Sequence, residues 1–329
     1  MASQRGPRIG IDVGGTKCLA VAIDDHDHVI AEARSSTPRG DGSVDELVPA
    51  VVSAIRELGE VVGESTTIGV GVPGLVSHDG VLRAAPNLDG VIDVEVARLI
   101  SAEVGMPVVV ENDATCGALA EWQVGAARGA TDVAFVSLGT GIGGGLIVNG
   151  AIQRGRHGYA AEFGHIVVDP TGPSCPCGQR GCWERYASGS GLAYLAQQRA
   201  EHGQLSSVLE RAGGSVEMIR SEHVLEVEVG VDHEIDALVA DFARWVALGL
   251  VNLAHVVDPE MFVIGGGVGS AFGSRLEMTR SSFVDLIYQP QQRELPEIVP
   301  AKLGEYASAI GAALLPGWRG DLVAQAERR

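Results

Sequence analysis

Residues 8–33 read RIGIDVGGTKCLAVAIDDHDHVIAEA. Ile9, Ile11 and Val13 alternate before the Gly14-Gly15 pair, and Leu19, Val21 and Ile23 alternate after it. Apolar alternation on both sides of a glycine turn predicts a β-hairpin, with DDHDH (24–28) as the next turn. The pattern returns in DVAFVSLGTGIGGGLIVNGAI (132–152), again strand, glycine turn and strand, followed by an Asn149-Gly150 turn. Two units that each open with a glycine-tipped hairpin indicate an internal repeat. Between them, SVDELVPAVVSAIRELGEVV (43–62) has helical spacing, with Leu47, Val51, Ile55 and Leu58 on one face. TTIGVGVPG (66–74) and PVVVEND (107–113) read as short buried strands. The sum is an α/β chain in which a parallel sheet with crossover helices follows each opening hairpin.

Farther along, HEIDALVADFARWVALGLVNLAHVV (233–257) places Ile235, Leu238, Phe242, Trp245, Val246 and Leu253 on a broad apolar stripe, and Asp258-Pro259 stops that helix. MFVIGGGVGS (261–270) follows as a buried strand running into glycines, whereas 190–232 reads as helical and then loop-like. At 329 residues the chain exceeds one typical domain, so two domains sharing a cleft are expected. Their expected limits are 1–117, joined by a C-terminal helix at about 305–329, and 118–304. A formal net charge of −18, from 24 basic and 42 acidic residues, argues against binding nucleic acid or anionic membranes and for a small ligand. MASQRGPRIG has no apolar signal core, and no run of about 18 uninterrupted apolar residues suggests a membrane span. The expectation is a cytoplasmic protein, in whose reducing setting clustered cysteines serve as metal ligands or redox groups more readily than as disulfides.

Three glycine runs offer backbone N–H groups to phosphate oxygens: DVGGTK (12–17), GTGIGGG (139–145) and GGGVG (265–269). Gly139 to Gly144 satisfies the dinucleotide pattern G-x-G-x-x-G, but a strand follows it instead of a helix. Gly10 to Lys17 approaches a Walker A loop, but Thr16 precedes Lys17 instead of following it. What fits is a nucleotide held between two hairpin tips, with Thr16 and Thr140 bonding phosphates and Asp12 either holding Mg²⁺ through water or capping its own turn.

Of five cysteines, three lie in CPCGQRGCWE (175–184), just after AAEFGHIVV (160–168). His165, Cys175, Cys177 and Cys182 form the Cys₃His set of a closed structural zinc site, with Pro176, Gly178 and Gly181 to bend the backbone around the ion. Such a metal would staple the loop carrying Glu184 to the segment carrying Glu162, and carboxylates of that kind accept hydrogen bonds from adjacent sugar hydroxyls. Cys18 and Cys116 fall in apolar stretches and read as core residues. In VVVENDATCGALAEW (108–122), Asn112 and Asp113 sit at the carboxyl end of a strand, where open parallel sheets bind ligands. Asp113 can accept a proton from a hydroxyl attacking phosphorus, or it can cap the helix that follows.

DVGGT, ENDA, LGTGIGGG, EFGH, CPCGQRGCWE and IGGG, in this order between residues 12 and 267, resemble the ROK family of sugar kinases. GYAAEFGHI and CWERYASG are most similar to the family's bacterial glucokinases. The resemblance implies an actin-like ATPase (ribonuclease H-like) fold, with two α/β domains around a central cleft. It implies transfer of the γ-phosphoryl of ATP to the 6-hydroxyl of glucose, with Mg²⁺ and a structural Zn²⁺. Carried over by motif, Asp113 is the general base, and Asn112, Glu162, His165 and Glu184 bind the sugar, more weakly joined by Gly74 and Asn87. Asp12, Gly14, Gly15, Thr16, Lys17, Thr140, Gly141 and Gly266 fall on the nucleotide side. A homo-oligomer of two or four copies is implied as well. Kinases of the family acting on N-acetylmannosamine, fructose, mannose or allose use very similar motifs, and polyphosphate is an alternative donor. The family's repressors place a DNA-binding segment before the core, whereas IDVGGT here starts at residue 11.

Overall fold

The computed structural model describes residues 6–15, 17–37, 43–63, 67–85 and 92–326. In chain order the first half contains β1 (Arg8–Val13), β2 (Lys17–Ile23), β3 (Val29–Ser36), α1 (Ser43–Val62), β4 (Thr67–Val72), β5 (Leu75–Val76), β6 (Leu82–Ala84), β7 (Ile92–Val94), α2 (Val96–Val104), β8 (Val108–Asn112) and α3 (Asp113–Gln123). The second half contains β9 (Val133–Leu138), β10 (Ile142–Val148), β11 (Ala151–Ile152), α4 (Glu184–Ala187), α5 (Gly189–Glu201), α6 (Ser206–Arg211), α7 (Ser221–Leu225), α8 (His233–Val257), β12 (Met261–Gly265), α9 (Gly266–Phe272), α10 (Leu276–Leu286) and β13 (Glu297–Pro300), followed by α11 (Ala307–Ala326).

The repeat is visible in the sheets. The first has strand order β3-β2-β1-β4-β8 and the second β11-β10-β9-β12-β13. In each, three strands meander antiparallel and the remaining two continue in parallel from the first strand of the hairpin. The hairpin register pairs Ile9 with Ala22 and Val13 with Cys18, and Ile9, Ile11, Val13, Val21 and Ile23 are all buried. Leu47, Val51, Ile55 and Leu58 of α1 bury into the same core, each such side chain contributing roughly 1.5–3 kcal/mol through lost apolar surface. A small third sheet, β5-β6-β7, stands beside the first.

The helices α3 and α11 cross between the two large sheets. A Cβ at Gly10 would lie 2.0 Å from the Ala309 carbonyl oxygen, and one at Gly69 1.9 Å from that of Ala312. The backbone of α11 thus rests directly on β1 and β4, an approach that only glycine permits. On the other side Gly145 faces the Ala118 methyl, and its own Cβ would lie 2.3 Å from it, so α3 packs on β10 through its alanine side chains. The buried Glu121 of α3 accepts hydrogen bonds from the backbone of Ala126, Lys302 and Leu303, which joins the end of α3 to the entry of α11. Cys18 and Cys116 are both buried, in line with a core role.

One reading changes. The stretch after α5 is not loop-like: α6 and α7, of six and five residues, occupy it, and helices this short show too few turns for a periodic signal. The third glycine run follows its strand, as expected. Gly266, at φ +78°, turns the chain from β12 straight into α9. Among the described residues, α8 is the one helix long and apolar enough to cross a membrane, but 61% of its most apolar window is buried inside the fold.

Candidate active site in the cleft

The carboxyl ends of β1, β4 and β8 point into the cleft between the two sheets. β8 ends at Asn112, whose extended backbone makes it the N-cap of α3: its Oδ1 accepts from the Thr115 N–H at 3.0 Å, and its Nδ2 donates to the Gly74 carbonyl at 3.2 Å. Capping therefore falls to Asn112 and not to Asp113. Asp113 is the first helical residue, and its Oδ1 accepts from the Ala114 N–H at 2.8 Å. Its carboxyl has a pKa pushed up to about 6, chiefly by burial and further by the charge of Glu162, against the opposing pull of the Ala114 N–H. Asp12, at the end of β1, is pushed up to about 8 by burial and then by the charge of Asp113. Two buried acids that repel one another would be drawn to the charged form by a bound hard cation, and in that form Asp113 can accept a proton.

The opposite wall comes from the second half. Ala161, at φ +73°, bends the backbone into the short 3₁₀ turn Phe163–His165, and that turn directs Glu162 toward the cleft. Phe163 is seated against Gly144 of β10, where a Cβ would meet its ring at 2.2 Å. Burial raises the Glu162 pKa, His165 lowers it, and Glu184 raises it again. Thus Asp12, Asp113, Glu162 and Glu184 form a chain of carboxylates in which each senses the next. Glu184 opens α4, with Oε1 3.8 Å from His165 Nδ1 and 3.1 Å from Cys175 Sγ. A Cβ at Gly141 would stand 2.7 Å from Glu184 Oε2. A side chain at that position would push the Glu184 carboxylate out of its place between the cysteine loop and the hairpin tip.

The cysteine loop is a compact knot. Cys175 N–H donates to Gln179, Gly178 N–H to Cys175, and Cys182 bridges Val167 in antiparallel fashion. Gly178 and Gly181 both take positive φ. The ligand atoms of His165, Cys175, Cys177 and Cys182 all lie within 4.8 Å of one another. Cys177 and Cys182 Sγ are 3.5 Å apart, and Cys175 Sγ is 3.9 Å from His165 Nδ1. A tetrahedral zinc with Zn–S bonds of about 2.3 Å needs donor separations of about 3.8 Å, so this set fits zinc. Trp183, fully buried and donating from Nε1 to the Trp245 carbonyl at 2.7 Å, anchors the knot to α8.

A cavity of about 900 Å³ opens beside the wall, lined by Gly139 and Thr140 of the hairpin tip, Gly267 of α9, and side chains of α4, α5 and α7. The tip is fixed to α5: Ser190 Oγ donates to the Thr140 carbonyl at 2.6 Å and the Gly189 N–H to Gly139 at 2.8 Å. Arg185, Tyr194, Arg220 and Glu222 also line this cavity. None of these four was singled out from sequence, and the glycine-serine run SGSG (188–191) was the one local signal. On the first half, the Gly14 N–H donates to the Lys17 carbonyl at 2.9 Å across the β1–β2 tip, leaving Gly15 and Lys17 exposed. Thr16 and Asn87 lie outside the described residues.

The profile of the ROK family matches residues 8–317. A glucokinase of Streptomyces coelicolor is 36% identical over 313 residues, which are 94% of this chain and 96% of that protein. An N-acetylmannosamine kinase of Salmonella typhi is 28% identical over 310 residues, 93% of this chain and 97% of that one. Among solved structures, a ROK family glucokinase from Streptomyces griseus in complex with glucose and AMPPNP superposes with a TM-score of 0.84 at 36% identity, over 94% of this chain and 99% of that one.

Proposed function

Because the chain belongs to the ROK family and places two α/β domains of the actin-like ATPase fold around its cleft, we propose that it is an ATP-dependent glucokinase. It transfers the γ-phosphoryl of ATP to the 6-hydroxyl of glucose, giving glucose 6-phosphate and ADP. The observation that carries this reading is Asp113. Relieved of capping by Asn112 and raised to about 6, it is ionised at pH 7 yet basic enough to take the hydroxyl proton.

In this reading Glu162, His165 and Glu184 bind the sugar hydroxyls, with Asn112 and Gly74 on the facing wall and Asn87 assigned by motif alone. The large cavity takes the nucleoside, Thr140, Gly141 and Gly266 border its phosphates from the second half, and Asp12, Gly14, Gly15, Thr16 and Lys17 border them from the first. Mg²⁺ held near Asp12 would neutralise phosphate charge. Zinc on His165, Cys175, Cys177 and Cys182 holds Glu184 and the His165 ring in place and takes no part in the chemistry. Phosphoryl transfer asks little covalent work of a protein, so positioning and charge carry most of the rate. The reading includes a cytoplasmic location and an assembly of two or four copies. Glucose is favoured over N-acetylmannosamine by the 36% against 28% identity of the two relatives.

The test is a coupled assay with MgATP and glucose, fructose, mannose, allose or N-acetylmannosamine. Glucose is expected to lead in kcat/KM by at least about tenfold. Another hexose in the lead would move the substrate assignment to that sugar, and activity with none would remove the kinase reading.

A further inference from the structure

Glu111, one residue before the Asn112-Asp113 pair, is fully buried. Its Oε1 accepts from the Asn112 N–H at 2.9 Å, and its Oε2 is ion-paired with Arg154 Nε, the two side chains being 1% and 9% exposed. Arg154 follows β11 in the second half, and it does more than meet this one acid. One terminal nitrogen lies 2.5 Å from His78 Nδ1 and the other donates to the Ser77 carbonyl at 3.4 Å. His78 Nε2 in turn lies 3.0 Å from the Gly155 carbonyl, so the network is closed with Nε2 as donor and Nδ1 as acceptor. Residues 154–160 form a loop closed by the Ala160 N–H to the Arg154 carbonyl at 3.1 Å. That loop is pressed onto the first half: Gly158, at φ +101°, lies where a Cβ would be 2.4 Å from the Val76 carbonyl oxygen. Two residues beyond Ala160 the chain reaches Glu162.

Arg154, itself the base of the loop that leads to Glu162, therefore touches through one guanidinium both the strand end that leads into Asp113 and the Ser77-His78 turn of the first half. Burying such a pair is an expensive way to hold a fold together, since well-packed apolar residues often do as well or better. What an Arg fork provides and an apolar pair does not is fixed direction at several acceptors.

We propose that Arg154 is a positioning residue: gripping Glu111, Ser77 and His78, it sets the placement of Asp113 relative to Glu162 across the cleft, and so the aim of the sugar hydroxyl at its base. The inference rests on the glucokinase reading. Arg154→Lys keeps the charge but loses the fork. It is expected to lower kcat/KM for glucose by at least about fivefold, while KM for ATP stays within about twofold and the melting temperature within about 3 °C of wild type. The pair replacement Glu111→Leu with Arg154→Met guards against a variant that simply fails to fold. It is expected to hold wild-type thermal stability while turning over glucose no faster than Arg154→Lys. A smaller loss in Arg154→Lys overturns the proposal. So does a loss that follows the melting temperature or the ATP KM, or a double variant with restored turnover. An inactive wild type would instead remove the glucokinase reading itself, and the inference with it.

Discussion

Asp113→Asn is expected to lower kcat by about 10²–10⁴-fold while glucose still binds within a few-fold of wild type. The amide is the same shape, and its oxygen can still accept from the Ala114 N–H at the position where Asp113 does so at 2.8 Å. The cap of α3 belongs to Asn112, so the helix start is untouched. What is lost is the capacity to take a proton. The same assignment fixes the pH dependence. Burial and Glu162 hold the Asp113 pKa above its ordinary 3.8, at about 6, and the base form exists above that value. Log kcat/KM for glucose should therefore be flat above about pH 7 and fall toward a slope of one below pH 6, and in Asp113→Asn this inflection should vanish. Turnover by the variant above about a tenth of wild type would take Asp113 out of the role.

Removal of the metal is the second large effect. The wild-type chain is expected to carry about one zinc per copy. Cys182→Ala, or exhaustive chelation, is expected to strip it, lower the melting temperature by at least about 5 °C and reduce kcat/KM for glucose by about 10²-fold or more. Cys182 is fully buried, bridges Val167 and directly precedes the buried Trp183, so its loss loosens the knot at the point where it meets α8. Glu184 and His165 lie on that knot, whereas the large cavity is also bounded by α5, α7 and α9. Affinity for ATP should for that reason suffer less than affinity for glucose. Wild-type protein free of zinc with full activity, or an unchanged melting temperature in Cys182→Ala, would contradict the staple.

Much of this was legible in the sequence because it is local. Alternation around Gly14-Gly15 and around Gly139 to Gly145 specifies two hairpins without reference to anything distant, and so does the stripe of Leu47, Val51, Ile55 and Leu58. Three thiols within eight residues of each other bring most of a metal site together by covalent connection alone. What could not be read depends on contacts between segments far apart in the chain. Gly10 and Gly69 are glycines because α11, which follows them only near the end of the chain, lies on them. Arg154 and Glu111 meet across the two halves with no spacing rule to announce it. The cavity wall from Arg185 to Glu222 joins one side of α5 to α4 and α7, which are too short for a period to show, and these meet only in the fold. The choice between Asn112 and Asp113 as the cap needed backbone angles: both residue types serve, and only the extended Asn112 is placed to do it.

The central claim is that the cleft delivers the phosphoryl group to one hydroxyl, deprotonated by Asp113. The most direct measurement is ADP release from MgATP in the presence of saturating glucose, 6-deoxyglucose or no sugar. Glucose is expected to raise ADP release by at least about 10²-fold over the sugar-free rate, with 6-deoxyglucose leaving it near that baseline. Equal stimulation by both sugars would mean that water is the acceptor, and it would contradict the account.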